Sequence, residues 1–105
     1  TRVTSEYLKA GIDGETFEIN EMYPAYKSVA QAQGEKSAEI SFNWALESEK
    51  THAVLYQKAK QAVDQKKDLQ LGPLHVCEVC GYTVEGEAPD KCPVCQTRKE
   101  RFKRF

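Results

Sequence analysis

Four cysteines are spaced Cys77-x-x-Cys80 and Cys92-x-x-Cys95, with eleven residues between the pairs, which is a tetrahedral metal-binding signature. The 76 residues before them contain no cysteine, a distribution that suits metal ligation in a reducing compartment rather than disulfides spread over a secreted fold. Four thiolates hold either zinc or iron. A second set of candidate ligands lies upstream. The stretch WALESEKTHAVLY puts Glu49 and His52 three apart, and an earlier stretch carries Glu15 and Glu18. Eleven Asp and Glu precede the cysteines, yet only Glu15, Glu18 and Glu49 fall on helical seams, which no Lys or Arg shares. A buried carboxylate is costly unless it is paired or bound to a cation, so a metal ion is the simplest common partner. Carboxylates with one imidazole suit iron or manganese, with zinc possible. The alternative for Glu49 and His52 is a hydrogen-bonded core pair.

The elements that must position these groups are two long helices. Over about residues 5–33, Leu8, Gly11, Glu15, Glu18, Met22, Ala25, Val29 and Ala32 alternate three and four apart, a helical seam. Pro24 falls inside it and predicts a kink near Met22 and Tyr23 rather than a stop, because the periodicity resumes. Gly34 ends the helix. Ala38, Phe42, Ala45, Glu49, His52, Tyr56, Ala59 and Val63 repeat the pattern out to about Lys66. The two helices form an antiparallel hairpin, each ~45 Å long at 1.5 Å per residue. Two helices cannot enclose a four-sided core, so two further walls must come from elsewhere. A glutamate facing Glu-x-x-His on its neighbour is half of the carboxylate-bridged dinuclear site of ferritin-like bundles.

The stretches GETFEINEMYPAY and ALESEKTHAVLYQKA, followed by a short cysteine module, resemble the second half of a rubrerythrin over almost the whole chain. The resemblance implies an all-α helical hairpin forming half of a ferritin-like four-helix bundle, plus a small rubredoxin-like metal-knuckle domain. It implies Glu15, Glu18, Glu49 and His52 as iron ligands, with Tyr23 a hydrogen-bonding residue behind them. CGY and CPVC resemble rubredoxin knuckles, in which Gly81 lets backbone amides approach the sulfurs; Gln96 stands where a glycine is common. Cys77, Cys80, Cys92 and Cys95 would then hold one redox iron, with zinc as a possible substitute. The implied function is NADH-linked reduction of hydrogen peroxide to water in oxidative-stress protection, fed by an external reductase or rubredoxin. The alternatives are ferritin-like iron oxidation and storage, and a zinc-ribbon helical interaction module.

The family's first helix pair does not occur here, so a complementary pair is expected from a separate chain or cleaved segment, or from a second copy in a homo-oligomer. Glu18 is one carboxylate more than the other half requires, which favours the first. The expected domains are a hairpin at 1–68, a linker at 69–75 marked by Gly72-Pro73, and the rubredoxin-like domain at 76–105. With 15 basic and 16 acidic residues, bulk charge points to neither nucleic acid nor a membrane surface. No apolar run approaches a membrane span and no signal-peptide pattern opens the chain, so a cytoplasmic location is expected. The basic end TRKERFKRF is expected to be a solvated turn or strand. Because the linker starts ~21 Å beyond Glu49 and His52, the module is expected to serve a neighbouring chain's bundle rather than its own.

Overall fold

A computed structural model describes residues 3–105. Helix α1 (Thr4–Phe17) leads through one π-helical turn (Glu18–Met22) into α2 (Tyr23–Ala32), and α3 (Lys36–Asp64) returns antiparallel. The π turn is the structural answer to Pro24. A proline inside an α-helix removes one donor and clashes with the carbonyl four residues back. Widening the turn, with Tyr23 N–H donating to Glu18 O, accommodates it without breaking the helix. The extra residue also shifts the helical phase of α2. Val29, expected on the seam, is 54% exposed, whereas Ala30 is 4% exposed. The periodicity therefore resumes one residue out of step.

Both hairpin helices close in the same way. At the end of α2, Glu35 N–H donates to Ala30 O at 2.9 Å and Gly34 N–H to Gln31 O at 3.1 Å, with Gly34 at φ +69°. This Schellman arrangement needs a left-handed residue, and glycine supplies it freely. At the end of α3, Lys67 N–H donates to Ala62 O and Lys66 N–H to Val63 O, both at 2.9 Å, with Lys66 itself at φ +57°. Ser5 Oγ donates to Asp64, tying the start of α1 to the end of α3. Gly11 lets the helices approach: a Cβ there would lie 3.1 Å from the Tyr56 ring.

The hairpin has almost no interior of its own. Among its described residues only Ala30, Ser48 and Ala53 are buried, while Tyr7, Phe17, Val29, Ile40 and Val54 stand mostly exposed. The molecule measures 49 × 32 × 18 Å, a slab too thin for a closed four-helix core. None of the helices among the described residues is long and apolar enough to cross a membrane.

Beyond α3 the chain forms a three-stranded antiparallel sheet, β1 (Leu74–Cys77), β2 (Thr83–Glu85) and β3 (Phe102–Arg104), in the order β2-β1-β3. His75 pairs with Val84 on one side and Arg104 on the other. Phe102 packs edge-on against Tyr82, ring centroids 6.4 Å apart. The expectation that this module lies away from its own bundle is not met. Strand β2 packs against α3, and the linker doubles back along the hairpin. From Asp64 to His52 the return is ~18 Å at 1.5 Å per residue, within reach of the nine residues 65–73 when extended. Contacts hold it there: Leu69, Leu71 and Leu74 line one apolar hollow with Leu8, Tyr56 and Ala59. Gly72 N–H donates to Glu85 Oε2 at 3.0 Å, and Glu85 Oε1 pairs with Lys58 on α3 at 2.9 Å.

Candidate metal centres

The cysteine site is built by two similar turns. Gly81 N–H donates to Cys77 O and Gln96 N–H to Cys92 O, both at 2.9 Å, with Gly81 at φ +88° and Gln96 at φ +68°. Gln96 therefore adopts the left-handed conformation usually left to glycine, and the second turn matches the first in spite of its side chain. Each pair is closed by a further bond, Cys77 N–H to Tyr82 O at 2.8 Å and Cys92 N–H to Thr97 O at 2.9 Å. Cys77 and Cys92 are buried, and Cys80 and Cys95 are partly exposed. The Cys77–Cys95 and Cys80–Cys92 sulfur separations are 3.6 Å. A disulfide would bring them to ~2.05 Å, whereas four thiolates at ~2.3 Å around one ion sit ~3.8 Å apart. The spacing fits one tetrahedral metal.

The thiols are unequal. Burial pushes the Cys80 thiol up to about 12, with neighbouring Cys92 adding to it. Burial acts the same way on Cys77, but backbone N–H groups of Cys80 and Val79 outweigh it and hold its thiol below the usual range. The Tyr82 N–H approaches Cys80 Sγ at 3.5 Å, the backbone approach that Gly81 was expected to allow.

Glu15, Glu49 and His52 form the second cluster, each offering a ligand atom within 4.8 Å of the others. Their elements are the last turn of α1 and the middle of α3. Glu15 Oε2 is buried with no hydrogen-bond partner. A carboxylate oxygen buried without a hydrogen-bond partner beside another carboxylate and an imidazole calls for a cation, so the donor set fits a metal. Glu18 opens the π turn and approaches Glu49. Its hydrogen bonding with Glu49, then burial, push it up to about 7. Burial and the Glu15 carboxyl also raise Glu49. Tyr23 stands beside this cluster. Burial, then the charges of Glu49 and Glu18, hold its proton on, and its ring packs on Tyr26 at 6.1 Å. Its expected hydrogen bond to the carboxylates is not among those formed by the described residues.

His52 connects the two centres. Nδ1 lies 3.0 Å from Glu49 Oε1, and Nε2 lies 3.1 Å from Gly81 O and 3.2 Å from Thr83 Oγ1. A carbonyl only accepts, so Nε2 carries a proton, and Nδ1, which faces the Glu49 carboxyl, is the nitrogen that a metal beside Glu49 would take. Ser48 Oγ donates to Cys80 O at 2.8 Å, and Thr83 N–H donates to Thr51 Oγ1 at 3.3 Å. Sequence periodicity passed over Ser48, Thr51 and Thr83. The available signal was a run of small polar side chains at Ser48 and Thr51, beside His52 on one helical stripe.

A ferritin-like carboxylate–histidine hairpin carrying a four-cysteine knuckle domain defines the di-iron, rubredoxin-linked class of proteins. The family model for rubrerythrin matches residues 1–60, and the model for the rubrerythrin rubredoxin-like domain matches residues 75–103. The chain belongs to the rubrerythrin family. Rubrerythrin-2 of Clostridium acetobutylicum is 43% identical over 98 residues, covering 93% of this chain and 53% of that protein. Nigerythrin of Nitratidesulfovibrio vulgaris is 37% identical over 95 residues, covering 90% and 46%. The solved structure of nigerythrin in a fully reduced, all-ferrous state superposes with a TM-score of 0.84 at 33% identity, covering 100% of this chain and 50% of that one. The chain spans about half the length of the curated relatives it matches. Iron is the metal of this family, and the clustered cysteines and the carboxylate–histidine group are where this chain can hold it.

Proposed function

We propose that this chain is half of a non-haem di-iron peroxidase that reduces hydrogen peroxide to water, with electrons delivered through its four-cysteine iron site. The observation that carries this reading is the His52–Gly81 hydrogen bond, which joins a candidate ligand of one centre to the residue following a cysteine of the other. Iron bound at Glu15, Glu18, Glu49 and His52, and at Cys77, Cys80, Cys92 and Cys95, would supply the redox chemistry: H2O2, two electrons and two protons give two waters.

The chain's own residues supply ligands and orientation. Glu18, pushed up to about 7 without metal, would give up its proton on joining the iron ligands, so its carboxylate serves to hold the metal. Tyr23 stays protonated next to the same carboxylates. The Nε2–H bond to Gly81 O fixes the His52 tautomer and ring orientation. Ser48 anchors the neighbouring Cys80 carbonyl, so both knuckle residues are held against α3.

The hairpin's exposed apolar side chains call for a complementary helix pair, from another chain or segment or from a second copy in a homo-oligomer. A reductase or rubredoxin, fed ultimately by NADH, is the proposed donor, and the cytoplasm the proposed location. Domains at 1–68 and 76–105 with a linker at 69–75 are part of this proposal. A purely iron-storing protein would have no use for a thiolate site held against its ligand histidine.

The test is a single turnover. Iron-loaded protein, assembled with its complementary helices and chemically reduced, should consume peroxide as the ferric thiolate absorption returns. In Glu49→Ala, peroxide consumption should fall to background with the thiolate spectrum intact. Stoichiometric zinc at the cysteines of protein purified from its own source would remove the electron-delivery role.

A further inference from the structure

The basic C-terminal stretch has no part in either metal centre. Residues 98–104 carry Arg98, Lys99, Arg101, Lys103 and Arg104 against a single acid, Glu100, and all five cations are exposed. Elsewhere Lys9, Lys50, Lys58 and Lys60 each pair with a carboxylate at 2.6–3.0 Å, and the lysines that form no such pair among the described residues, Lys27, Lys36, Lys66, Lys67 and Lys91, are spread along the chain rather than gathered within seven residues. None of the five cations forms such a pair among the described residues. Glu87 lines the same hollow as Lys99 and Arg104 but bonds to neither. Lys103 alone has a local partner, the Phe105 ring at 5.2 Å.

Placement gives this charge a direction. In the order β2-β1-β3, strand β2 meets α3 and β3 is the far edge. Phe102 on β3 pairs with Cys77 in register, and Glu78 N–H donates to Arg101 O at 3.0 Å. Arg98 bridges to Lys91, the residue before Cys92. The backbone that carries these cations therefore runs about one strand spacing, ~4.8 Å, from Cys77 at Phe102 and from the residue before Cys92 at Arg98, on the edge of the sheet opposite β2. The chain's formal net charge is only −1, so this is a local field and not a general affinity for anions.

Resting on the reading of the cysteine site as an electron entry point, we infer that the 98–104 edge is the docking surface for an acidic one-electron carrier protein, steered there by its carboxylates. Electrons enter over β3 and leave toward α3. The carrier is oxidised by one electron and the cysteine iron reduced by one, with no bond made or broken. A nucleic acid would seek a longer basic track than one seven-residue edge, and it would gain nothing from proximity to the cysteines.

The experiment follows the ferric-to-ferrous change of the cysteine iron by freeze-quench Mössbauer spectroscopy, with the full chain alone loaded with the Mössbauer-active isotope so that the carrier's iron stays silent, using a reduced rubredoxin of net negative charge and, separately, a small reduced flavin. The second-order rate with the rubredoxin should fall about tenfold or more between about 0.01 and 0.3 M salt. At low salt it should fall by about as much in the triple variant Arg101→Glu, Lys103→Glu, Arg104→Glu. The flavin rate and the thiolate spectrum should stay as in the parent. Should the triple variant lose its spectrum, the milder pair Lys99→Gln and Arg104→Gln replaces it, with a proportionally smaller loss.

A rubredoxin rate indifferent to salt and to substitution, with normal flavin reduction, overturns the docking surface and leaves electron entry standing. Variants that keep the rate but aggregate assign the charge to protection of an edge strand, and the inference falls. Binding of a single-stranded DNA oligonucleotide that the variants abolish, with carrier rates unchanged, also overturns it. If neither reductant reduces the site, electron entry itself fails and the docking surface falls with it.

Discussion

His52 and Gly81 are 29 positions apart in sequence and hydrogen-bonded at 3.1 Å, with the other ring nitrogen of His52 facing Glu49 at 3.0 Å. One imidazole thus touches the surroundings of both metal centres within a single chain. Mixing a Cys92→Ser variant with a Glu49→Ala variant, each assembled with complementary helices, checks the consequence. No donor-driven peroxide reduction should return in verified mixed oligomers. Its return would show that electrons cross between chains.

Ser48 is the one buried polar side chain among the described residues, and its hydroxyl holds the Cys80 carbonyl. Ser48→Ala leaves that carbonyl facing a methyl group, at a cost of roughly 1–2 kcal/mol to docking of the module. Proteolysis within residues 65–73 should accelerate by about tenfold, since ~1.4 kcal/mol is a factor of ten in the undocked population. An unchanged cleavage rate would mean that Ser48 does not hold the module.

Metal-free protein should lose stability as pH rises from about 4.5 to about 7. Glu18 has its folded value raised from 4.5 to about 7, so over that window the unfolded chain ionises while the folded one keeps its proton. The folded state binds more protons there, and stability must fall with pH until Glu18 ionises in both states. Ferrous iron reverses the trend, because binding displaces that proton. Denaturant midpoints measured across this range, with and without iron, would show opposite slopes; a flat metal-free profile would contradict the raised Glu18.

Half a bundle should hold half a site. The hairpin buries little beyond Ala30, Ser48 and Ala53, and gathers Glu15 and Glu49 with one histidine, Glu18 adjoining through Glu49. Iron content measured through a dilution series should drop from two ions at the carboxylate cluster in the assembled form to one or fewer in the monomer. Two tightly held ions there in a demonstrably monomeric species would refute this.

Much of the architecture could be read directly from residue spacing. Three-and-four periodicity located both helices, Gly34 their turn, and the two Cys-x-x-Cys pairs the knuckles, because each is a local rule acting over a few residues. The docking of the module could not be read that way. It depends on three leucines after a left-handed Lys66 and on small hydroxyls at Ser48 and Thr51, none of which has a signature outside the assembled structure. The phase after Pro24 was missed for a related reason: a seam drawn from spacing alone assumes 3.6 residues in every turn. Glu15, Glu49 and His52 do meet, while Glu18 joins them through the turn that the simple periodicity omits.

The π turn at Glu18–Met22 also changes what a deletion would do. A π turn spends one more residue than an α turn, so the helix carries a spare residue where the carboxylates gather. Removing Asn20 would restore the 3.6-residue period in a formal sense, although Pro24 would still lack its donor and would again meet the carbonyl four residues back. It would also rotate everything after it by ~100° relative to α1, swinging Tyr23 and Ala30 away from α3. A more regular helix would then be a worse ligand frame. The irregular turn lets one continuous helix present two angular settings, one for its metal-facing carboxylates and another for the wall behind them.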